Sequence, residues 1–343
     1  MSKESKEVSA DRPDVSIITS LATGYWSSMV LISANRLGVF KHLAEGPLGA
    51  EAIAERCGVG VRGTELLLNA CVAERLLAKE NGLYANSATS RVFLVPGIPS
   101  YLGDALKYSE DLYPVWGNLE QTLRTSKPPA PPETILGDDP EKTRNFVLAM
   151  HNRALGIARA VVASLDLSGR KQMFDVGGGP GTYSILLAQK TPGLKSTILD
   201  LPAVVKIASE IIASYGCSDR VGVMPGNYLT TPFPASNDVV LMSGMMHRET
   251  EENCLLLLKK AFASLEPGGT IIVSDIMFDD DAKTSPTLST LFALNMMLTS
   301  DDGSTHAQTA FVRWMIAAGF IDIKTERLAV PMNHISSIIG RRP

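Results

Sequence analysis

Five histidines punctuate this 343-residue chain, and His247 holds the position most suited to chemistry. It follows the apolar run Asp238-Val-Val-Leu-Met-Ser243 and precedes a helix that should open near Thr250-Glu251-Glu252. An imidazole where a strand gives way to a helix stands at the edge where doubly wound sheets bind ligands, and it can accept a proton there. His42 and His334 fall in segments that read as structural, whereas His151 and His306 remain possible substrate contacts.

A ligand floor is legible in Phe174-Asp175-Val176-Gly177-Gly178-Gly179-Pro180-Gly181-Thr182, an apolar strand running into a glycine-dense turn and then a helix from Tyr183 to Lys190. Glycines remove the Cβ atoms that hold a ligand off the backbone, and the helix start presents unpaired N–H groups. The dinucleotide fingerprint needs a glycine in the sixth place, where this chain has Thr182. About 20 residues beyond Gly177 comes Asp200, at the end of Thr197-Ile198-Leu199, placed to grip ribose hydroxyls from a second parallel strand. The same Asp200 can instead cap a helix starting at Leu201-Pro202. Asp175 beside the turn disfavours a pyrophosphate and favours a cationic ligand.

The glycine turn, together with Ile198-Leu-Asp-Leu-Pro202, Pro267-Gly-Gly269, Ala293-Leu-Asn-Met-Met297 and Phe311-Val-Arg-Trp-Met-Ile-Ala-Ala-Gly-Phe320, resembles the class I S-adenosylmethionine-dependent methyltransferases. Within that group it is similar to the plant-type and hydroxyindole-type small-molecule O-methyltransferases, and the resemblance covers nearly the whole chain. It implies S-adenosylmethionine as cofactor, with Asp175, Gly177, Gly179, Asp200 and Leu201 on one side of it. Asn227 and Tyr228 would lie at the adenine, where the family has Gly-Asp and an apolar residue, and Ser243 at the end of the fourth strand. Asn227 can still accept a hydrogen bond and Tyr228 can stack.

By the same resemblance His247 is the general base and Asp275, at the end of Ile271-Ile-Val-Ser-Asp275, assists it. A phenol with a pKa of about 10 is roughly 0.1% ionised at pH 7, a deficit of about 4 kcal/mol that a base must cover during methyl transfer to oxygen. The family His is followed by Asp and Trp, whereas Arg248 and Glu249 follow here, and Arg248 should lower the pKa of a near neighbour. A second assisting carboxylate is expected before Thr305, but Asp301, Asp302 and Gly303 stand there and read as a solvated loop. Substrate contacts are expected from Phe146, Met150, Asn295 and Met296. The altered neighbours of His247 leave open methylation at carbon or nitrogen, or decarboxylation or hydroxylation with the cofactor retained. A winged-helix regulator that senses the cofactor is a remote further reading.

These residues need a scaffold. Apolar periodicity from Val15 to Ala44 covers more than one helical face, which calls for burial on several sides; the resemblance implies a homodimer through these helices. Gly49–Ala54 and Arg62–Leu68 read as short helices, and Leu76–Ala78 with Leu83–Ala85 around Asn81-Gly82 as a hairpin. That winged-helix order invites DNA binding, yet the second helix offers almost no basic residues. Lys127 to Asp139 is Pro-rich and should be an extended loop, followed by a helix from Phe146 to Leu165. Strands are expected at 172–176, 196–200, 221–224, 238–243, 270–276, 321–326 and 336–340, the first five alternating with helices as in a parallel doubly wound sheet. The fold expected is therefore α/β, a Rossmann-like seven-stranded methyltransferase domain behind a mainly helical winged-helix dimerisation domain. The divisions are 1–110 for dimerisation, 111–165 for a helical linker and substrate-lining region, and 166–343 for cofactor binding.

Composition is that of an ordinary globular protein, with 45% hydrophobic residues and a formal net charge of −4, which gives no pull toward nucleic acid. Cys57, Cys71, Cys217 and Cys254 form no metal-binding spacing and suit a reducing compartment. Met1 to Asp14 is polar and no uninterrupted apolar run is long enough for a membrane span, so a cytoplasmic location without membrane partner is expected.

Overall fold

Alternation of short apolar strands with amphipathic helices dictates most of the architecture. The computed structural model describes residues 13–98, 100–129, 139–330 and 333–343. It divides into two compact units, Met1–Gly103 and Asp104–Pro343.

The first unit holds α1 (Val15–Arg36), α2 (Val39–His42), α3 (Ala50–Cys57), α4 (Val61–Ala73), β1 (Leu77–Glu80), β2 (Leu83–Asn86) and α5 (Ala88–Phe93). Helix, helix and hairpin follow in the order expected, with Asn81 and Gly82 both at positive φ in the turn. Phe40, Ile53, Leu68 and Tyr84 are fully buried and form its centre. Asp14 caps α1 by accepting from Ser16 N, yet Val15, Ile17, Ile18, Leu21, Tyr25 and Trp26 on that helix are exposed.

The second unit begins with α6 (Gly103–Trp116), α7 (Leu119–Thr125) and α8 (Pro140–Ser164). Helix α8 starts earlier than expected, because Pro140 fits the first turn and Asp139 accepts from the N–H groups of Glu141 and Lys142. Of the Pro-rich stretch, residues 130–138 lie outside the described residues. There follow β3 (Gln172–Val176), α9 (Thr182–Lys190), β4 (Lys195–Asp200), α10 (Pro202–Ser214), β5 (Val221–Pro225) and β6 (Asn237–Ser243). The unit ends with α11 (Glu251–Ser264), β7 (Leu265–Ile276), α12 (Thr287–Thr299), α13 (Gln308–Ala317), β8 (Ile321–Val330) and β9 (Asn333–Arg341).

The seven strands lie in the order β5-β4-β3-β6-β7-β9-β8. Strands β3 to β7 are parallel, but β9 pairs antiparallel with both β7 and β8, so the sheet is mixed. The order reverses at β3 and β6, and the crevice at their carboxyl ends is where such sheets bind ligands. Met173, Phe174 and Val176 of β3 are fully buried, each worth about 1.5–3 kcal/mol, which fixes the strand that carries the glycine turn.

Helices α1 and α8 are long and apolar enough to cross a membrane by length and composition, which a search for uninterrupted apolar runs passes over. Helix α8 buries Val147, Leu155, Ala158 and Val161 in the second unit's core. Helix α1 is interleaved with Ser, Thr and Asn.

Candidate active site

The glycine turn is built from below by the sheet. Gly177 N donates to Leu199 O at 2.8 Å, and Gly177, Gly179 and Gly181 all take positive φ. A Cβ on Gly177 would sit at positive φ and 3.2 Å from Met245, tighter than ordinary contact, so a side chain is strained there. Asp200 Oδ2 accepts from Gly179 N at 2.8 Å and Oδ1 from Leu201 N at 2.7 Å, whereas the following helix has Leu201 at its N-cap with no side-chain cap bond, so Asp200 braces the turn rather than capping that helix. The carboxylate thus ties the end of β4 to the turn and lines the cavity above it. Burial pushes its carboxyl above the usual range, against the pull of these two N–H bonds and of Arg248.

Asp175 corrects the expectation of a cofactor contact. It is 1% exposed, lies behind the turn and is absent from the cavity wall. Ser184 Oγ donates to its Oδ2 at 2.5 Å, while Oδ1 has no partner. Burial pushes its pKa up to about 7, so it contributes far less negative charge than an ordinary carboxylate. The reason is geometric: both faces of a parallel sheet are covered, and this position of β3 points into packing.

The cavity, about 460 Å³, is bounded by residues from β4, β6, β7, β9, α6, α8, α9, α10 and α12 and the loops at the strand ends. Leu201, Asn227, Tyr228 and Ser243 all line it, as expected. Asn227 Oδ1 already accepts from Leu229 N at 2.8 Å, so its first task is to shape the loop after β5. Lys260 donates to the carbonyls of Tyr228, Leu229 and Thr231 and closes that loop from outside. Tyr228 lies 3.6 Å from the Cβ position of Gly177 and donates its hydroxyl to Glu249 Oε1 at 2.6 Å. Burial, with Glu249 beside it, raises the Tyr228 phenol well above its ordinary range.

His247 sits in a single 3-10 turn, Met246–Arg248, between β6 and α11. Thr250 ends that turn by capping α11, accepting from Asn253 N. His247 Nδ1 lies 2.7 Å from Asp275 Oδ1, and its backbone N donates to Asp275 Oδ2. Asp275 comes from the end of β7, the neighbour of β6, so sheet register brings the pair together. Since an ionised carboxylate only accepts, Nδ1 carries the proton and Nε2 has a free lone pair. Phe292 of α12 packs edge-on to the ring at 4.9 Å between centroids. Asp301 and Asp302 are exposed, while Ser304 N donates to His247 O and holds the turn.

Phe146, Met150 and Met296 line the cavity, as expected of substrate contacts. Asn295 does not; it is buried behind the wall, accepts from Trp116 Nε1 at 3.0 Å and bonds Tyr108, so it braces the wall. His151 and His306 also miss the cavity. His151 is held between Thr182 Oγ1 and Tyr215 OH, and burial lowers its pKa to about 4. His306 packs against Phe311 and Trp314 with Nε2 at Glu249 O. The side chain of His334 lies outside the described residues.

Sequence reasoning missed Tyr108, Arg153, Tyr183, Glu249 and Phe292 as wall residues. Only Glu249 had a signal, its place two residues after His247. Among the described residues no group of three His, Cys, Asp or Glu side chains could hold a metal ion.

Residues 130–321 match the O-methyltransferase domain family, and residues 19–96 match the O-methyltransferase dimerisation domain. The chain belongs to the O-methyltransferase family. Relatives include the 3-hydroxy-5-methyl-1-naphthoate 3-O-methyltransferase of Streptomyces sahachiroi, 33% identical with 92% of each chain covered. The tetracenomycin polyketide synthesis 8-O-methyl transferase of Streptomyces glaucescens is also 33% identical, over 95% of this chain and 96% of that one. The solved structure of human N-acetylserotonin methyltransferase with S-adenosylmethionine matches with a TM-score of 0.87 at 27% identity, covering 98% and 99% of the two chains. This O-methyltransferase family member is an S-adenosylmethionine-dependent enzyme. Its residues fit that cofactor: a bare backbone cradle, a carboxylate at the end of the second strand and an aromatic ring beyond it.

Proposed function

We propose that the enzyme methylates a hydroxyl of an aromatic or polyketide-like small molecule, with His247 as general base and Asp275 as the residue that positions it. The hydrogen bond from His247 Nδ1 to Asp275 carries this reading, because it leaves Nε2 as the acceptor in a cavity that also holds the glycine cradle. S-adenosylmethionine supplies an electrophilic methyl group on a sulfonium. Gly177, Gly179, Asp200 and Leu201 would hold it on one side, Asn227 and Tyr228 would lie at its adenine, and Ser243 would complete the site. Phe146, Met150, Met296 and Phe292 form an apolar slot that seats an aromatic acceptor and keeps water from the sulfonium. His247 Nε2 takes the hydroxyl proton as the methyl arrives, and Asp275 stabilises the resulting imidazolium. The named activities of the two Streptomyces relatives, on a hydroxynaphthoate and in polyketide synthesis, support the same acceptor class.

Of the exposed apolar residues of α1, Leu21, Tyr25 and Trp26 fall in the matched dimerisation domain, and we assign that helix to a homodimer interface. Residues 1–110 would dimerise, 111–165 line the acceptor and 166–343 bind the cofactor. All four cysteines are free and three are buried, which suits a cytoplasmic enzyme. The test is mass spectrometry of products after incubation with S-adenosylmethionine and a panel of phenols and hydroxy-polyketides. A methyl ether supports the reading, and products methylated only at carbon or nitrogen would overturn it.

A further inference from the structure

Two arginines break the apolar character of the acceptor side. Arg153, from α8, and Arg248, immediately after His247, both line the cavity. Neither forms an ion pair with a carboxylate among the described residues, although elsewhere in this unit Arg144, Arg220, Arg313 and Arg341 all do. A guanidinium is always charged and presents a planar fork of donors matched to a carboxylate, so two unpaired in a cavity wall make a ready site for one.

Their fields converge on one point. Burial raises the Tyr108 phenol, and Arg153 and then Arg248 are the main charges opposing that rise. Tyr108 in turn packs edge-on against Phe146 at 5.7 Å, on the wall expected to seat the acceptor ring. His247 and Arg248 are consecutive and both line the cavity, so the base and a guanidinium border the same space. Acidic neighbours are present too: Asp200, Glu249 and Asp275 line the same cavity, but each is engaged by Gly179 and Leu201, by Tyr228 and Asn253, or by His247.

We infer that the acceptor is an anionic hydroxyaryl carboxylic acid, with Arg248 and Arg153 binding its carboxylate while His247 faces its hydroxyl. This rests on the O-methyl transfer reading above and narrows its substrate class. The carboxylate of the cofactor's methionine moiety has the same chemistry, and Arg248 also acts on Asp200 at the cofactor side, so the two sources must be separated experimentally.

The experiment compares 3-hydroxy-1-naphthoic acid with its primary carboxamide as acceptors, and measures S-adenosylhomocysteine affinity by calorimetry in parallel. The wild-type enzyme should favour the acid by about 10-fold or more in kcat/KM, an effect the size of a charge-assisted contact. Arg248→Met should abolish that preference and Arg248→Lys should keep part of it, with Arg153→Met acting in the same direction. Cofactor-product affinity should stay within about twofold in each variant, which also shows that the fold is intact. Equal use of acid and amide by the wild type would overturn the inference while leaving O-methyl transfer standing. A loss of cofactor-product affinity matching the loss of activity would overturn it by giving the guanidinium to the cofactor. Methyl transfer to neither acceptor nor to any other phenol would instead remove the underlying O-methyl transfer reading.

Discussion

His247 Nδ1 lies 2.7 Å from Asp275 Oδ1, and the same carboxylate accepts the His247 backbone N–H through Oδ2. One buried carboxylate therefore fixes both the ring and the turn that carries it.

Replacing Asp275 by Asn tests the tautomer argument. An amide can still accept one bond, but it no longer stabilises a charged imidazolium, so kcat should fall by about 100-fold with little change in S-adenosylhomocysteine affinity. The pH–rate profile should lose its wild-type form, a readout that a purely structural role of Asp275 would not move. A full rate with an unaltered profile would remove the positioning role.

The glycine cradle makes a sharper geometric claim. Gly177→Ala places a Cβ at positive φ and 3.2 Å from Met245, in the turn that borders the cavity. Cofactor-product affinity should drop about 10-fold by calorimetry, with the protein still folded by circular dichroism. Unchanged affinity would mean that the cofactor does not approach this turn.

His151 predicts a pH dependence of stability. Its folded pKa is lowered to about 4 from 6.5 by burial, so the unfolded chain binds the extra proton first as pH falls. Stability from this group is complete above about pH 6.5 and is lost progressively toward pH 4. In His151→Gln the fall in Tm over that window should be smaller by several degrees, measured by scanning calorimetry. An identical fall in both proteins would show that His151 does not drive it.

Helix α1 should hold a partner copy. Its exposed Leu21 and Trp26 are costly to leave in water, and the double change Leu21→Asp with Trp26→Asp should convert a dimer to a monomer of 36.8 kDa in sedimentation. A wild-type protein that sediments as a monomer at micromolar concentration would contradict the assignment.

What the sequence made legible follows from backbone periodicity. Five parallel strands, the glycine turn and the strand-end place of His247 are local patterns, and all appear where the residues put them. The antiparallel direction of β9 lay beyond the sequence reading, which placed the last two strands at 321–326 and 336–340; in the structure they extend to Val330 and Asn333, too close for a parallel crossover. Asp175 misled because strand parity does not separate cavity from core when a sheet is covered on both faces. Asn295 and Met296 are adjacent on α12, yet only Met296 reaches the cavity, a distinction set by helix rotation against Trp116 and Tyr108. Arg153 and Tyr108 come from helices remote in sequence, and nothing local marks them as wall residues.

The most direct measurement is single-turnover transfer of a radiolabelled methyl group from S-adenosylmethionine to a hydroxyaryl acceptor by His247→Ala. The account predicts a rate lower by about 100-fold or more, with cofactor-product affinity within about twofold of wild type. A wild-type rate in that variant would contradict general-base catalysis by His247.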